Sequence, residues 1–112
     1  MPHLTTHVLD TASGQPAAGV RVVLRRDGAV IAEATTNADG RVDKPLLDGD
    51  AFKPGQYEIA FHVGDYFRRT GMALAEPAFL DVIPVRFGVA AGRDCHLPLL
   101  ISPYGYSTYR GS

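Results

Sequence analysis

Apolar and polar residues alternate with a period of two through most of this chain, which is the spacing of strands rather than of helices. In residues 4–10, Leu4, Thr6 and Val8 fall on one side and Thr5, His7 and Leu9 on the other. Residues 19–26 set Val20, Val22 and Leu24 against Arg21, Val23 and Arg25. Asp27 and Gly28 then supply a hairpin turn, and residues 29–36 return as the next strand. A turn over residues 37–40 leads to a short predicted strand, 41–46, stopped near Pro45. After a turn at residues 53–55, residues 56–63 alternate again, with Tyr57, Ile59, Phe61 and Val63 against Glu58, Ala60 and His62. Residues 65–71 suit a short helix, with Asp65 as N-cap and Gly71 as its stop. A strand over residues 79–89 follows, in which Pro84 argues for an edge position or a bulge. The last predicted pair is 95–102 and 106–110, joined by a turn at residues 102–105. Seven to eight short antiparallel strands at this spacing, with one short helix and no alternation of strands with helices, predict an all-β, two-sheet sandwich.

One strand has an apolar face too many. In residues 95–102, Leu97, Leu99 and Ile101 share one face, while His96, Pro98 and Leu100 share the other. A sheet on the outside of a small domain needs only one apolar face. The second face is therefore expected to be covered, most simply by another copy of the chain.

Size and charge narrow the functional classes. At 112 residues the chain is one domain, 1–112, with room for a modest core. Eleven basic and twelve acidic residues leave a net charge of −1, so there is no electrostatic case for nucleic acid. No apolar run reaches membrane-spanning length, so no membrane partner is expected. The first residues have neither the basic nor the apolar region of a secretory leader, and Cys95 is the lone cysteine. A cytoplasmic protein is the expectation, or a periplasmic one if a leader has been removed.

Four histidines are the candidates for chemistry. His62 lies on the polar side of its strand, and His3 sits ahead of the first strand; both read as surface. His7 and His96 instead share strand faces with Leu9 and with Pro98 and Leu100. Taken singly, such a histidine is more often a packing residue than a catalyst. Brought together, two imidazoles can take a proton from water and return one. Arg41, after the Asp39 and Gly40 turn, and Arg110 are the arginines placed to hold a carbonyl-rich or anionic substrate; Arg21, Arg25, Arg26, Arg68 and Arg69 read as solvated. Two histidines are too few for a closed metal site unless Cys95 or a carboxylate joins, and Asp94, Cys95 and His96 alternate in direction, so no metal is expected. There is no nucleophile elbow and no phosphate-cradling glycine loop, and Cys95 reads as a buried structural thiol.

Several segments resemble a known family. They are residues 7–11 (HVLDT), 14–17 (GQPA), 19–22 (GVRV), 39–41 (DGR) and above all 96–112, which runs HLPLLISPYGYSTYRGS. The chain resembles the 5-hydroxyisourate hydrolases, the transthyretin-related enzymes of urate breakdown. The glycine and proline motifs occur in many sandwich modules, whereas Tyr109, Arg110, Gly111 and Ser112 after Ser102 and Pro103 are specific to the enzymes. The resemblance implies a prealbumin-like (transthyretin-like) sandwich and a homotetramer with sites at the dimer–dimer interface. It implies a purine-derived small-molecule substrate whose six-membered ring is opened hydrolytically, and no cofactor. It places catalytic roles on His7, Arg41 and His96, and substrate-binding roles on Tyr109, Arg110 and Ser112. One departure is visible: the family's usual histidine two positions before His96 is Asp94 here, with Cys95 between. The alternative reading is a transthyretin-like carrier that holds a small ligand without catalysis.

Overall fold

The computed structural model describes residues 2–111, which form two sheets packed face to face. In chain order the strands are β1 (His3–Asp10), β2 (Gln15–Pro16), β3 (Arg21–Arg26), β4 (Ala29–Thr35), β5 (Leu47–Asp48), β6 (Gly55–His62), β7 (Val82–Val89), β8 (Cys95–Ser102) and β9 (Gly105–Thr108). A 3₁₀ turn, Gly49–Ala51, follows β5, and one α-helix, α1 (Val63–Arg69), follows β6. The first sheet has the order β2-β1-β8-β9, with β5 also on β1; the second has the order β4-β3-β6-β7. Every pairing is antiparallel except that of β1 with β8, which is parallel over seven residues from Leu4 opposite Cys95 to Asp10 opposite Ile101.

Alternation decides the core. On β1, Leu4, Thr6, Val8 and Asp10 face inward, and on β8, Cys95, Leu97, Leu99 and Ile101 do the same. They meet Val22, Leu24, Ile59, Phe61, Ile83 and Val85 of the second sheet. Each fully buried aromatic or branched side chain contributes roughly 1.5–3 kcal/mol. The three buried polar residues are all satisfied. Thr6 donates to the Leu97 carbonyl (2.7 Å), Thr36 donates to the Ala17 carbonyl (2.6 Å), and Asp10 accepts from the amides of Ala12 and Ser13 and from Tyr66.

Four predicted elements shift, the last strand among them, which runs Gly105–Thr108 rather than 106–110 and leaves Tyr109 and Arg110 beyond its end. The strand expected over residues 41–46 does not form: Arg41 makes a single bridge to His7, Leu46 donates its amide to the Leu4 carbonyl (2.8 Å), and the only strand nearby is β5. Pro45 has no amide to give a ladder. The helix starts two residues early, because Val63, Gly64, Tyr66 and Phe67 bury one side of it. Asp65 is thus in its first turn, where it favours the helix dipole, and His62 takes the N-cap position half-buried instead of lying on the surface. β7 begins at Val82, while Phe79 stands exposed against Tyr104 (6.0 Å between ring centres). Pro84 does lie on an edge strand. Arg68, expected to be solvated, is held among Asp65, Glu76 and Asp81. No helix among the described residues is long and apolar enough to cross a membrane.

Candidate active site

The outer face of the first sheet presents His3, Thr5 and His7 from β1 alongside His96, Pro98 and Leu100 from β8. In a parallel pair, opposed residues lie on the same face, so Thr5 stands beside His96 and His7 beside Pro98. Thr5 Oγ1 and His96 Nδ1 are 2.8 Å apart. One step along, the His3 amide donates to Asp94 Oδ1 (2.8 Å). Asp94 thus pins the start of β1 rather than reaching the His96 ring.

The turn at residues 37–40 carries the third group to this face. Asn37 Oδ1 accepts from the amides of Asp39 (2.9 Å) and Arg41 (3.2 Å), and Gly40 donates to the Asn37 carbonyl (2.9 Å). Gly40 has φ +75 and its carbonyl accepts from the Val8 amide (2.8 Å), so the turn is stitched onto β1. His7 and Arg41 then form an antiparallel bridge. His7 Nε2 donates to the Asp39 carbonyl (2.8 Å). Because a carbonyl can only accept, Nε2 of His7 carries the hydrogen.

Gly111 closes the site from the other side. Its amide donates to the His96 carbonyl (2.8 Å), and a β-carbon placed on it would lie 2.7 Å from His96 Cδ2. Thr5, Arg41, Asp94, His96 and Gly111, with His3 and Cys95, line a cleft of about 400 Å³. That size suits a small molecule. His7 borders Arg41 but is not in the cleft wall. On the far side of His96 lies a second cleft of about 170 Å³, where Tyr109 and Arg110 join Phe87, Leu97 and Thr108. Apart from His7, the expected groups among the described residues therefore divide between two hollows that share His96. Ser112 lies outside the described residues. Thr5 was not singled out from sequence, although alternation put it on the His7 face.

Electrostatics distinguish the titratable groups here. Burial holds the His96 imidazole below its usual range, and the charges of Arg41 and His7 add to the effect. His96 is accordingly neutral at pH 7, as a proton acceptor must be. Burial pushes the Cys95 thiol up, and Arg110 draws it only partly back, so it stays protonated and inert. Among the described residues no three histidine, cysteine or carboxylate side chains gather as metal ligands. A further cleft of about 210 Å³ lies on the second sheet, lined by Arg25, Glu58 and Arg86 among others. Both arginines there are paired with Glu58 (3.9 and 3.2 Å), and Asp27 in the same wall supplies the second negative charge.

Comparison with known proteins identifies the family. The model of the HIUase/Transthyretin family matches residues 4–111. The chain belongs to that family. Among relatives, the 5-hydroxyisourate hydrolase of Mesorhizobium japonicum is 58% identical over 113 residues, covering 97% of this chain and 91% of its own. Among solved structures, the 5-hydroxyisourate hydrolase of Klebsiella pneumoniae superposes with a TM-score of 0.86 at 37% identity, with 100% of both chains covered. An (S)-allantoin synthase superposes with a TM-score of 0.95 at 44% identity, covering 99% of this chain. The chain spans only 44% of that longer protein.

Proposed function

We propose that this chain hydrolyses 5-hydroxyisourate, opening its six-membered ring to give 2-oxo-4-hydroxy-4-carboxy-5-ureidoimidazoline in urate breakdown. Full-length similarity to 5-hydroxyisourate hydrolases supports the reaction. The observation that carries the site assignment is the cleft in which neutral His96 and the guanidinium of Arg41 face the same space, with His7 bridged to Arg41.

His96 takes a proton from water, and the hydroxide adds to the ring carbonyl carbon. Arg41 stabilises the oxyanion that develops, as a preorganised donor does. The carbon–nitrogen bond breaks, and the imidazolium returns the proton to the departing nitrogen. His7 pairs with Arg41 through the backbone, which sets that residue's place beside the cleft, and its own catalytic role is assigned from sequence. Tyr109 and Arg110 bind substrate from the far side of His96, and Ser112, adjoining Gly111, is assigned with them from sequence alone. No step needs a cofactor. The substrate also opens spontaneously, so positioning and proton transfer are enough to account for catalysis.

A homotetramer, with the cleft at the dimer–dimer interface, is part of the same reading. It is supported by Leu9 and Leu100, apolar residues left only half-buried on the outer face that carries His96, whereas Pro98 on that face is already covered within the chain. A reducing cytoplasm suits the lone buried Cys95. A carrier of an apolar ligand would have no use for an imidazole and a guanidinium in its wall.

The test mixes the protein with freshly oxidised urate and follows the ultraviolet decay of the intermediate. Wild type should outpace the spontaneous decay, and His96→Asn should lose about 10²–10⁴-fold while eluting at the same size. Decay no faster than in buffer would overturn the assignment in favour of a carrier.

A further inference from the structure

We infer that Thr5 is a positioning residue for His96: its hydroxyl oxygen accepts the hydrogen on Nδ1, which fixes the ring tautomer and leaves Nε2 as the atom that exchanges a proton with water. The inference rests on the hydrolase reading above and deepens it by saying which nitrogen of which histidine does the work.

Three observations converge on it. Thr5 Oγ1 lies 2.8 Å from His96 Nδ1, and the two residues are register partners in the parallel β1–β8 ladder, so backbone hydrogen bonding on both sides holds the pair. The opposite edge of the ring is confined as well, because Gly111 approaches Cδ2 so closely that a β-carbon there would sit at 2.7 Å. Two edges are thereby taken, and among the described residues Nε2 has no hydrogen-bond partner.

A threonine hydroxyl can donate or accept, and the chemistry decides between these. If it donated to Nδ1, Nε2 would carry the hydrogen and the ring would offer no base to the cleft. If it accepts from Nδ1, the contact survives both when Nε2 is bare and when Nε2 has taken a proton from water. One geometry then serves addition of hydroxide and return of the proton to the leaving nitrogen. A hydroxyl also orients the ring without adding charge, whereas a carboxylate in its place would favour the imidazolium. His7 is held in the opposite tautomer, since its Nε2 donates to the Asp39 carbonyl. The two imidazoles are thus not equivalent.

The test uses Thr5→Val, which keeps the branched shape a strand prefers, and Thr5→Ser, which keeps the hydroxyl. Nitrogen-15 NMR of the wild type at neutral pH should show His96 with Nδ1 protonated and Nε2 bare, and Thr5→Val should mix the two tautomers. Turnover of Thr5→Val should fall about 10- to 100-fold with KM little changed, part of the roughly 10²–10⁴-fold a placed acid–base group supplies. Thr5→Ser should recover most of that loss. The acid limb of the pH profile should move in Thr5→Val while the other charged groups around the ring, His3, His7, Arg41, Asp94 and Arg110, stay as they are. A bare Nδ1 in the wild type, or Thr5→Val with wild-type rate and profile, overturns the inference. Wild-type protein that fails to accelerate the reaction overturns the hydrolase reading instead, and the NMR result then still decides the role of Thr5.

Discussion

The phenol of Tyr66 donates a hydrogen bond of 2.9 Å to Asp10 Oδ2, tying α1 to the end of the strand that carries Thr5 and His7. Asp10 is buried, and its other oxygen already holds the turn after β1 through the amides of Ala12 and Ser13. Tyr66→Phe removes one partner of a buried carboxylate, so it should cost about 1.5–3 kcal/mol, read as a lower urea midpoint at unchanged slope.

The same phenol gives an alkaline signature. Burial, with Asp10 next, pushes Tyr66 from 10.0 up to about 12. The folded state therefore holds this proton more tightly than the unfolded chain does. Its contribution is complete below pH 10 and is lost as pH rises through about 12. Stability measured from pH 9 upward should decline in wild type and decline less in Tyr66→Phe.

Arg41→Ala should lower turnover by about 10²–10³-fold, the usual loss when an oxyanion donor is removed, with little change in thermal midpoint because the side chain is exposed. It should also move His96. Arg41 disfavours the imidazolium, so without it the His96 titration, followed by NMR, should shift upward toward the ordinary histidine range. In wild type the acid limb of activity should lie below pH 6.5. Because the folded state resists protonation there, stability from this group is present above that pH and lost as pH falls through the lowered value.

Gly40→Ala should disrupt the turn that supplies Arg41. A β-carbon there would lie 2.3 Å from the Val8 carbonyl oxygen and 3.3 Å from both the Ala17 amide nitrogen and His7 Cδ2. Gly14 has the same φ of +75 with nothing within 4 Å. Gly14→Ala should thus cost about 1 kcal/mol for backbone strain alone, and Gly40→Ala clearly more, about 3 kcal/mol or failure to fold, measured by denaturant titration.

Gly111→Ala should separate activity from stability. The new methyl is tight only against the imidazole edge at 2.7 Å, while the His96 carbonyl oxygen lies at an ordinary 3.4 Å, so the ring tilts and the fold persists. Turnover should fall by up to about 100-fold while stability stays within about 0.5 kcal/mol.

Much of the fold was legible because alternation is local. The inward rows of β1, β3, β6 and β8 read directly from residues two apart. The start of α1 at Val63 was not, since burial of Val63 and Gly64 rather than a capping side chain sets it. Nor was the parallel sense of β1 and β8, because a strand's pattern carries no direction for its partner. At the site, His7, Arg41 and His96 stood out by residue type and face, and all three lie on one side of the first sheet. The division of the hollow by His96 could not be read from spacing, since it depends on how β9 and residues 109–111 pass the second sheet. Thr5 was overlooked because its partner is 91 positions away.

That separation has a consequence for the order of events during synthesis. Thr5 and His7 leave the ribosome early, but the strand that positions His96 beside them follows 91 residues later, roughly 5–20 s at ordinary elongation rates. Until then β1 lacks its longest neighbour, and hairpins such as β3–β4 can close long before it. The Thr5–His96 contact therefore comes into being at the last stage of folding, and no nascent fragment that stops short of β8 can hold the proposed site.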